Sequence, residues 1–182
     1  MPRLTQVEFA NGAVMLTTPK GYCIDTKSVR REDGAGFAII ARCDVLGVEG
    51  FFATRSLALI TVTVGATNGA MQPNLADLEQ TVGKAEILKR SPATDPPMLR
   101  VQTSSAQVSG ASEQMWRAAF ALNGHMVALS MYDPEDGRSS NGSGVRLLEE
   151  LTRRTRAASQ HHAPVLPDAS QARALQIDQI KQ

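Results

Sequence analysis

The sequence predicts an α+β domain in which helices pack on a mainly antiparallel sheet. Asn11-Gly12 and Asn123-Gly124 each lie between apolar stretches, and this dipeptide favours the type I′ turn of a tight β-hairpin. Two other segments repeat apolar residues at helical spacing. We therefore expect a single α+β domain over residues 1–160, and the alternative architecture is a half-open β-barrel with peripheral helices.

The first hairpin is predicted over residues 5–17, after which Pro19 and Gly21 break the chain. Residues 25–33 are expected to hold one or two helical turns, because Asp25 is a typical N-cap residue. This part of the chain should therefore lead from a hairpin, through a short helical segment, into the main sheet.

Two strands of the main sheet are predicted over residues 37–46 and 57–64. The first places its odd-numbered residues on one face by alternation, namely Phe37, Ile39, Ala41, Cys43 and Val45. The second is apolar on both faces, which is typical of a strand inside a sheet that is covered on both sides.

A helix is predicted over residues 75–89, since Asn74 can cap it and Asp77 places negative charge in its first turn. Its apolar residues form a stripe for the sheet, namely Leu75, Leu78, Val82, Ala85 and Leu88. Gly83 is expected only to weaken the middle of this helix, by up to about 1 kcal/mol. A short strand should follow over residues 98–103.

The second hairpin gives the most specific structural prediction. If Asn123-Gly124 is a two-residue turn, Leu122 pairs with His125 and every further pair is fixed. One face of the hairpin then carries an apolar set, namely Trp116, Ala118, Phe120, Val127, Leu129 and Met131. A shift of one residue would divide this set between the two faces.

The last helix of the domain is predicted over residues 144–159. Val145, Leu148, Leu151 and Thr155 share one face of it. This face is expected to pack on the sheet.

Residues 161–182 are predicted to form a linker and a short C-terminal helix. Leu175, Ile177 and Ile180 give this segment more apolar surface than a solvated tail needs. We expect these three residues to bind a protein partner or a second copy of the chain. The alternatives are docking on the chain's own sheet and a frayed tail.

Cys23 and Cys43 are expected to form an intrachain disulfide. Both lie in predicted strands, and adjacent antiparallel strands bring facing Cα atoms within the range that a disulfide needs. The bridge would close a loop of about 20 residues, which the chain-entropy model values at about 3 kcal/mol. The alternative is a reduced pair that acts as small hydrophobic side chains.

The redox state of these cysteines decides the expected compartment. A disulfide indicates a periplasmic or otherwise exported protein, and reduced cysteines indicate a cytoplasmic one. The first residues lack the apolar core of a signal peptide. Export would therefore imply that a leader preceding Met1 has been removed.

The composition limits the classes of partner. The chain has 182 residues, with 19 Lys and Arg against 18 Asp and Glu. This balance gives no electrostatic footprint for nucleic acid or for an anionic membrane. No run reaches the roughly 18 apolar residues of a membrane-spanning helix.

The sequence carries no motif for catalysis, a cofactor or a metal. His161 and His162 are adjacent, so their side chains diverge, and no further ligand stands at metal-binding spacing. One polar set near the cysteines is a candidate for lining a ligand groove, namely Tyr22, Asp25, Arg42 and Asp44. Ordinary polarity at a strand edge explains this set equally well.

The order of elements, with a Pro-x-Gly-Tyr step at Pro19, Gly21 and Tyr22, resembles the PsbP-like fold over about residues 5–160. This family includes photosystem II extrinsic subunits, Ran-binding proteins and bacterial envelope proteins of unassigned role. The resemblance implies an antiparallel sheet packed between helices and a role in binding or assembly. We therefore expect a non-catalytic envelope protein that binds an unknown protein partner. The alternative is a small-ligand-binding protein or an enzyme that uses the groove near Tyr22, Asp25 and Arg42.

Overall fold

The computed structural model describes residues 3–46, 59–67, 71–106, 111–134 and 143–160. Within these ranges the chain forms ten strands and two helices. The strands pair antiparallel throughout, and the main sheet is not closed into a barrel. The predicted α+β class, with helices packed on a mainly antiparallel sheet, is confirmed.

The elements follow one another in simple order. The first five strands are β1 (Gln6–Phe9), β2 (Val14–Thr17), β3 (Tyr22–Ile24), β4 (Arg30–Glu32) and β5 (Ala35–Arg42). The other five are β6 (Leu59–Ala66), β7 (Glu86–Ser91), β8 (Met98–Gln102), β9 (Ala111–Leu122) and β10 (His125–Pro134). The helices are α1 (Leu75–Thr81) and α2 (Ser143–Gln160). Strands β1 and β2 form a separate two-stranded sheet, and the main sheet has the order β3-β5-β6-β10-β9-β8-β7, with β4 also paired to β5.

Three layers result, because the two faces of the main sheet are covered by different elements. Trp116 of β9 belongs to a core that includes Phe9 of β1 and Leu148 of α2. Its neighbour Met115 points to the opposite face by alternation and packs in a second cluster with Leu78 of α1. The sheet therefore lies between α1 on one face and α2 with the β1–β2 hairpin on the other.

Helix α2 also satisfies the backbone of β2. The hydroxyl of Thr155 accepts a hydrogen bond from the Thr17 amide at 3.2 Å, and that of Ser159 accepts one from the Met15 amide at 2.9 Å. Both hydroxyl-bearing residues are fully buried. An edge amide without water needs such a partner, so the buried polar residues of α2 fix the hairpin in place.

The second hairpin has the register predicted from its turn. Leu122 pairs with His125 across Asn123-Gly124. The predicted apolar set lies on one face and is buried, namely Trp116, Ala118, Phe120, Val127, Leu129 and Met131. The first Asn-Gly pair also lies at a chain reversal between paired strands.

The predicted helix over residues 75–89 is wrong in its second half. Helix α1 ends at Thr81, and Gly83 adopts the left-handed backbone (φ +59) that stops a helix. The chain then forms β7, which pairs with β8. Leu88, which was expected in the buried stripe, is 40 % exposed.

The helical turns predicted over residues 25–33 are also wrong. The Asp25 carboxylate accepts the Lys27 amide at 3.1 Å, which makes a turn and not a helix start. The Ser28 hydroxyl then accepts the Ile39 amide at 2.8 Å, which holds the turn beside β5. The chain continues as β4, paired with β5.

Strands β5 and β6 each bury one face more fully than the other, whereas the sequence predicted that the second of them is covered on both faces. In β5 the residues Ala38 and Ile40 enter the core, whereas Phe37 and Ile39 are half-buried. In β6 the exposed Thr63 lies on the less buried face. The physical reason is that α2 and the first hairpin cover the core face, whereas α1 contacts β8 and β9 instead.

The helix predicted over residues 144–159 corresponds to α2, and its predicted face is buried at Leu148, Leu151 and Thr155. Residues 57 and 58 and the whole of 161–182 lie outside the described residues. Neither described helix is long and apolar enough to cross a membrane.

Candidate functional site

The two cysteines form a disulfide at one edge of the main sheet. Cys23 lies in β3 and is buried, and Cys43 follows β5 directly. Their Cα atoms are 4.9 Å apart. The strand register pairs Cys23 with Ala41, and the Cys43 amide bonds the carbonyl of Gly21. The bridge therefore joins diagonal positions of adjacent antiparallel strands, not the facing positions that the sequence suggested.

A tight turn leads into the disulfide from the preceding segment. The Tyr22 amide donates to the Pro19 carbonyl at 3.1 Å, and Gly21 has φ +85. This combination is typical of a type II turn, which favours glycine at its third position. The buried Thr18 hydroxyl donates to the Tyr22 carbonyl at 2.7 Å and fixes the far side of the turn. Lys20 is thereby held at the outer corner of the turn.

A groove of about 660 Å³ opens beside this turn and the disulfide. The N-terminal segment, the turn, the end of β5 and helix α2 all contribute to its walls. Its charged side chains among the described residues are four cations and one carboxylate, namely Arg3, Lys20, Arg42, Arg154 and Asp44. We refer to this site as the basic groove.

Arg42 and Asp44 form an ion pair at one end of the basic groove. Two nitrogens of the guanidinium donate to the two carboxylate oxygens, at 2.7 and 3.1 Å. This hydrogen-bonded contact raises the pKa of Arg42 and lowers the pKa of Asp44. Both side chains therefore stay charged across the neutral range, as a bidentate pair.

Arg154 and Lys20 both contact a second carboxylate, that of Glu150 on α2. The Glu150 carboxylate lies 3.7 Å from the Arg154 guanidinium, one helical turn away, and accepts the backbone amide of Lys20 at 3.3 Å. This second contact attaches the turn to the helix. It leaves the ammonium group of Lys20 available to the groove.

Tyr22 supplies an aromatic wall that carries a hydroxyl group. Burial raises the pKa of this phenol; Arg42 opposes the shift and Asp44 adds to it. The hydroxyl is therefore protonated at neutral pH and can donate a hydrogen bond.

The structure brings together three of the four residues that were predicted to line a groove. Tyr22, Arg42 and Asp44 do so, whereas Asp25 does not and binds the Lys27 amide instead. No sequence pattern pointed to Arg3, Lys20 or Arg154 as groove residues, because they come from separate segments of the chain that only folding brings together.

A second polar cluster lies inside the core face of the sheet. The carboxylate of Asp133 is 3.5 Å from the guanidinium of Arg100, which also donates to Gln114 at 2.6 Å and stacks near Trp116. Asp133 and Trp116 are fully buried, whereas the Arg100 side chain is 17 % exposed, so solvent reaches only part of this cluster.

No set of three or more metal-ligating side chains occurs within the described ranges of the chain. His161, His162, Leu175, Ile177 and Ile180 lie outside those ranges. In comparisons with known proteins, no family model, curated protein or solved structure matches this chain. The interpretation of the basic groove therefore depends on its own geometry.

Proposed function

We propose that this protein is exported and binds a small ligand, without catalysing a reaction, in the basic groove. The observation that carries the proposal is the groove itself, with its convergent polar groups around Tyr22 and Arg42. Its volume of about 660 Å³ falls in the range of small-molecule sites. The proposal therefore follows the small-ligand alternative drawn from the sequence and extends it to Arg3, Lys20 and Arg154.

The chemistry of the groove supports binding over catalysis. The sulfur of Cys43 is held in the disulfide, so it cannot act as a nucleophile. The hydroxyl of Thr18 is held by two backbone carbonyls, that of Tyr22 in the turn and that of Thr5 in the N-terminal segment. Arg42 and Asp44 are neutralised by each other. The remaining groups are cations and a phenol, which are groups that hold a ligand.

The alternative of a protein partner draws less support from the described surface. Its large exposed hydrophobic side chains are two, Met71 before α1 and Leu88 in β7. A protein-binding surface commonly exposes a contiguous apolar area. The predicted role of Leu175, Ile177 and Ile180 in binding a partner or a second copy stays a prediction.

Export and the PsbP-like relationship belong to the same proposal. The disulfide supports export, because such bonds persist in oxidising compartments and are rare in the cytosol. The PsbP-like resemblance rests on element order and the Pro19-x-Gly21-Tyr22 step, and the family it names includes bacterial envelope proteins. Fractionation of cells that express the complete gene tests export, and recovery of the protein in the cytosol with two free thiols would contradict it.

Ligand binding can be tested with a library of small molecules observed by amide NMR spectra. We expect saturable shifts confined to amides around the groove, in residues 3–5, 18, 20–23 and 42–44. The Lys89 amide is a suitable reference, because β7 lies at the opposite edge of the main sheet. A library that leaves the groove amides unchanged would contradict the proposal.

A further inference from the structure

We propose that the ligand of the basic groove is a small organic anion whose carboxylate or phosphate group is bound by Arg3 and Lys20. This inference rests on the proposed function, and it adds the chemical class of the ligand and the two residues that recognise its charge. The ligand proposed is a small molecule with a free acid group.

The distribution of charge is the first argument. The chain as a whole has nearly equal numbers of basic and acidic residues, with a net charge of +1. Among the described residues that line the groove, four cations stand against one carboxylate. Adding the adjacent Glu150 still leaves an excess of positive charge. Clefts with one sign of charge raise the local concentration of the opposite ion, so the groove favours an anion.

The pairing of these cations is the second argument. Arg42 is held by Asp44 at 2.7 Å, and Arg154 by Glu150 at 3.7 Å. Within the described part of the chain, neither the Arg3 nor the Lys20 side chain forms a hydrogen bond or an ion pair, although Arg3 is near enough to Asp44 for its charge to lower the pKa of that carboxyl. These two cations are therefore the ones free to take a ligand's acid group.

The backbone around these two cations is fixed, which is the third argument. The Ile24 amide donates to the Leu4 carbonyl at 2.7 Å and attaches the residue after Arg3 to β3. Lys20 stands at the corner of the turn, and its own backbone amide donates to the Glu150 carboxylate. Both long side chains thus start from ordered positions on the rim of the same groove, although their own ends remain exposed.

The groove also has a surface for the organic part of such a ligand. Pro19, the ring of Tyr22 and the disulfide at Cys43 line it beside the charged groups. The Tyr22 hydroxyl can donate to an acid oxygen while its ring covers an apolar or aromatic body. An inorganic anion would use only the charged part of this site, so an organic anion should bind more tightly.

The test uses matched pairs of probes on the full chain with its disulfide intact. Phenyl phosphate is compared with phenol, and benzoate with benzamide, by titration followed through the groove amides. The double variant Arg3→Gln/Lys20→Gln removes both proposed contacts. Lys89→Gln is the control for loss of a surface cation, because it removes one at an exposed position of β7 on the opposite edge of the sheet. Equal thermal midpoints of the variants would show that the fold is intact.

We expect the acids to bind in the groove more tightly than their neutral counterparts, and added salt to weaken that binding. The double variant should lose about tenfold in affinity for phenyl phosphate, as removal of charge-assisted contacts implies, while Lys89→Gln should match the wild type. If the neutral probes bind in the groove as tightly as the acids, the inference about charge is wrong and ligand binding stands. If no probe of either kind shifts the groove amides, both proposals are wrong.

Discussion

Asp133 is the one carboxylate that is fully buried among the described residues, with 1 % of its surface exposed. One of its oxygens lies 3.5 Å from Arg100, and the other has no hydrogen-bond partner. Burial raises the pKa of Asp133, and the Arg100 charge offsets only part of that shift. A buried carboxylate with incomplete pairing disfavours its charged form.

The sign of the resulting pH dependence follows from linkage. Because the pKa of Asp133 is higher in the folded state, the folded protein loses stability as pH rises from about 3.9, the ordinary value for Asp, through the folded-state pKa. The amide side chain of the Asp133→Asn variant cannot ionise, so the variant does not lose stability in this way. We therefore expect the free energy of unfolding of the variant, relative to wild type, to increase with pH over that window. Urea unfolding at a series of pH values measures it.

Asp44→Asn is the control with the opposite sign. The hydrogen bond from Arg42 lowers the pKa of Asp44, so its contribution is present above the ordinary Asp range and is lost as pH falls. Relative to wild type, this variant should lose stability as pH rises towards about 3.9, in a window that lies below the one for Asp133. The effect should be small, because both side chains are exposed. A relative free energy of unfolding of Asp133→Asn that falls with pH above about 3.9, as that of Asp44→Asn falls below it, would show that the sign for Asp133 is wrong.

At the scale of elements, the β1–β2 hairpin packs on the main sheet through a close contact between Phe9 and Gly36. Phe9 is 1 % exposed, and its ring lies over β5. A Cβ atom at Gly36 would stand 2.6 Å from Cγ of that ring. A rigid, buried ring cannot move aside as a flexible side chain can, so glycine is needed here for close approach.

Gly36→Ala should therefore destabilise the protein by about 1–3 kcal/mol, the range for overpacking a core. Gly65→Ala on the adjacent strand β6 is the matched control, because a Cβ atom there meets nothing within 4 Å. The control should be close to neutral. Chemical denaturation of both variants measures the difference, and equal free energies of unfolding would contradict the Phe9 contact.

At the scale of the whole molecule, the disulfide links the edge strand β3 to the end of β5 beside the basic groove. Replacing both cysteines, as Cys23→Ala/Cys43→Ala, should lower the free energy of unfolding by about 3 kcal/mol, since the unfolded chain regains the freedom of the loop. Denaturation with and without reductant measures this effect in the wild type, and reductant should leave the double variant unchanged. Two free thiols in the native, air-exposed protein by intact mass would contradict the bond.

Deletion of residues 164–182 tests whether the described fold needs the C-terminal segment. The buried residues of α2, from Gly144 to Ser159, all precede the deletion. We expect the thermal midpoint to stay almost unchanged and self-association or partner binding to weaken. A large fall in the midpoint of the truncated monomer would show that the segment belongs to the core.

Part of this fold follows from sequence alone, because some determinants are local. An Asn-Gly turn fixes the pairing of its flanking strands, and alternation then sorts Trp116, Phe120 and Val127 to one face. The class of the fold and most strand positions follow from the same kind of pattern. Tyr22, Arg42 and Asp44 could also be predicted as groove residues, because the two strands that carry the cysteines place them close together.

The rest was decided by tertiary structure, for physical reasons that a local pattern does not contain. Apolar residues after Gly83 fit a helix and a strand alike, and the positive φ of Gly83 with the pairing of β7 to β8 selects the strand. Alternation separates the two faces of β5 without saying which one the β1–β2 hairpin will cover. The basic groove joins Arg3 from the N-terminal segment, Lys20 from the turn before β3 and Arg154 from α2. Only packing of these separate segments creates it.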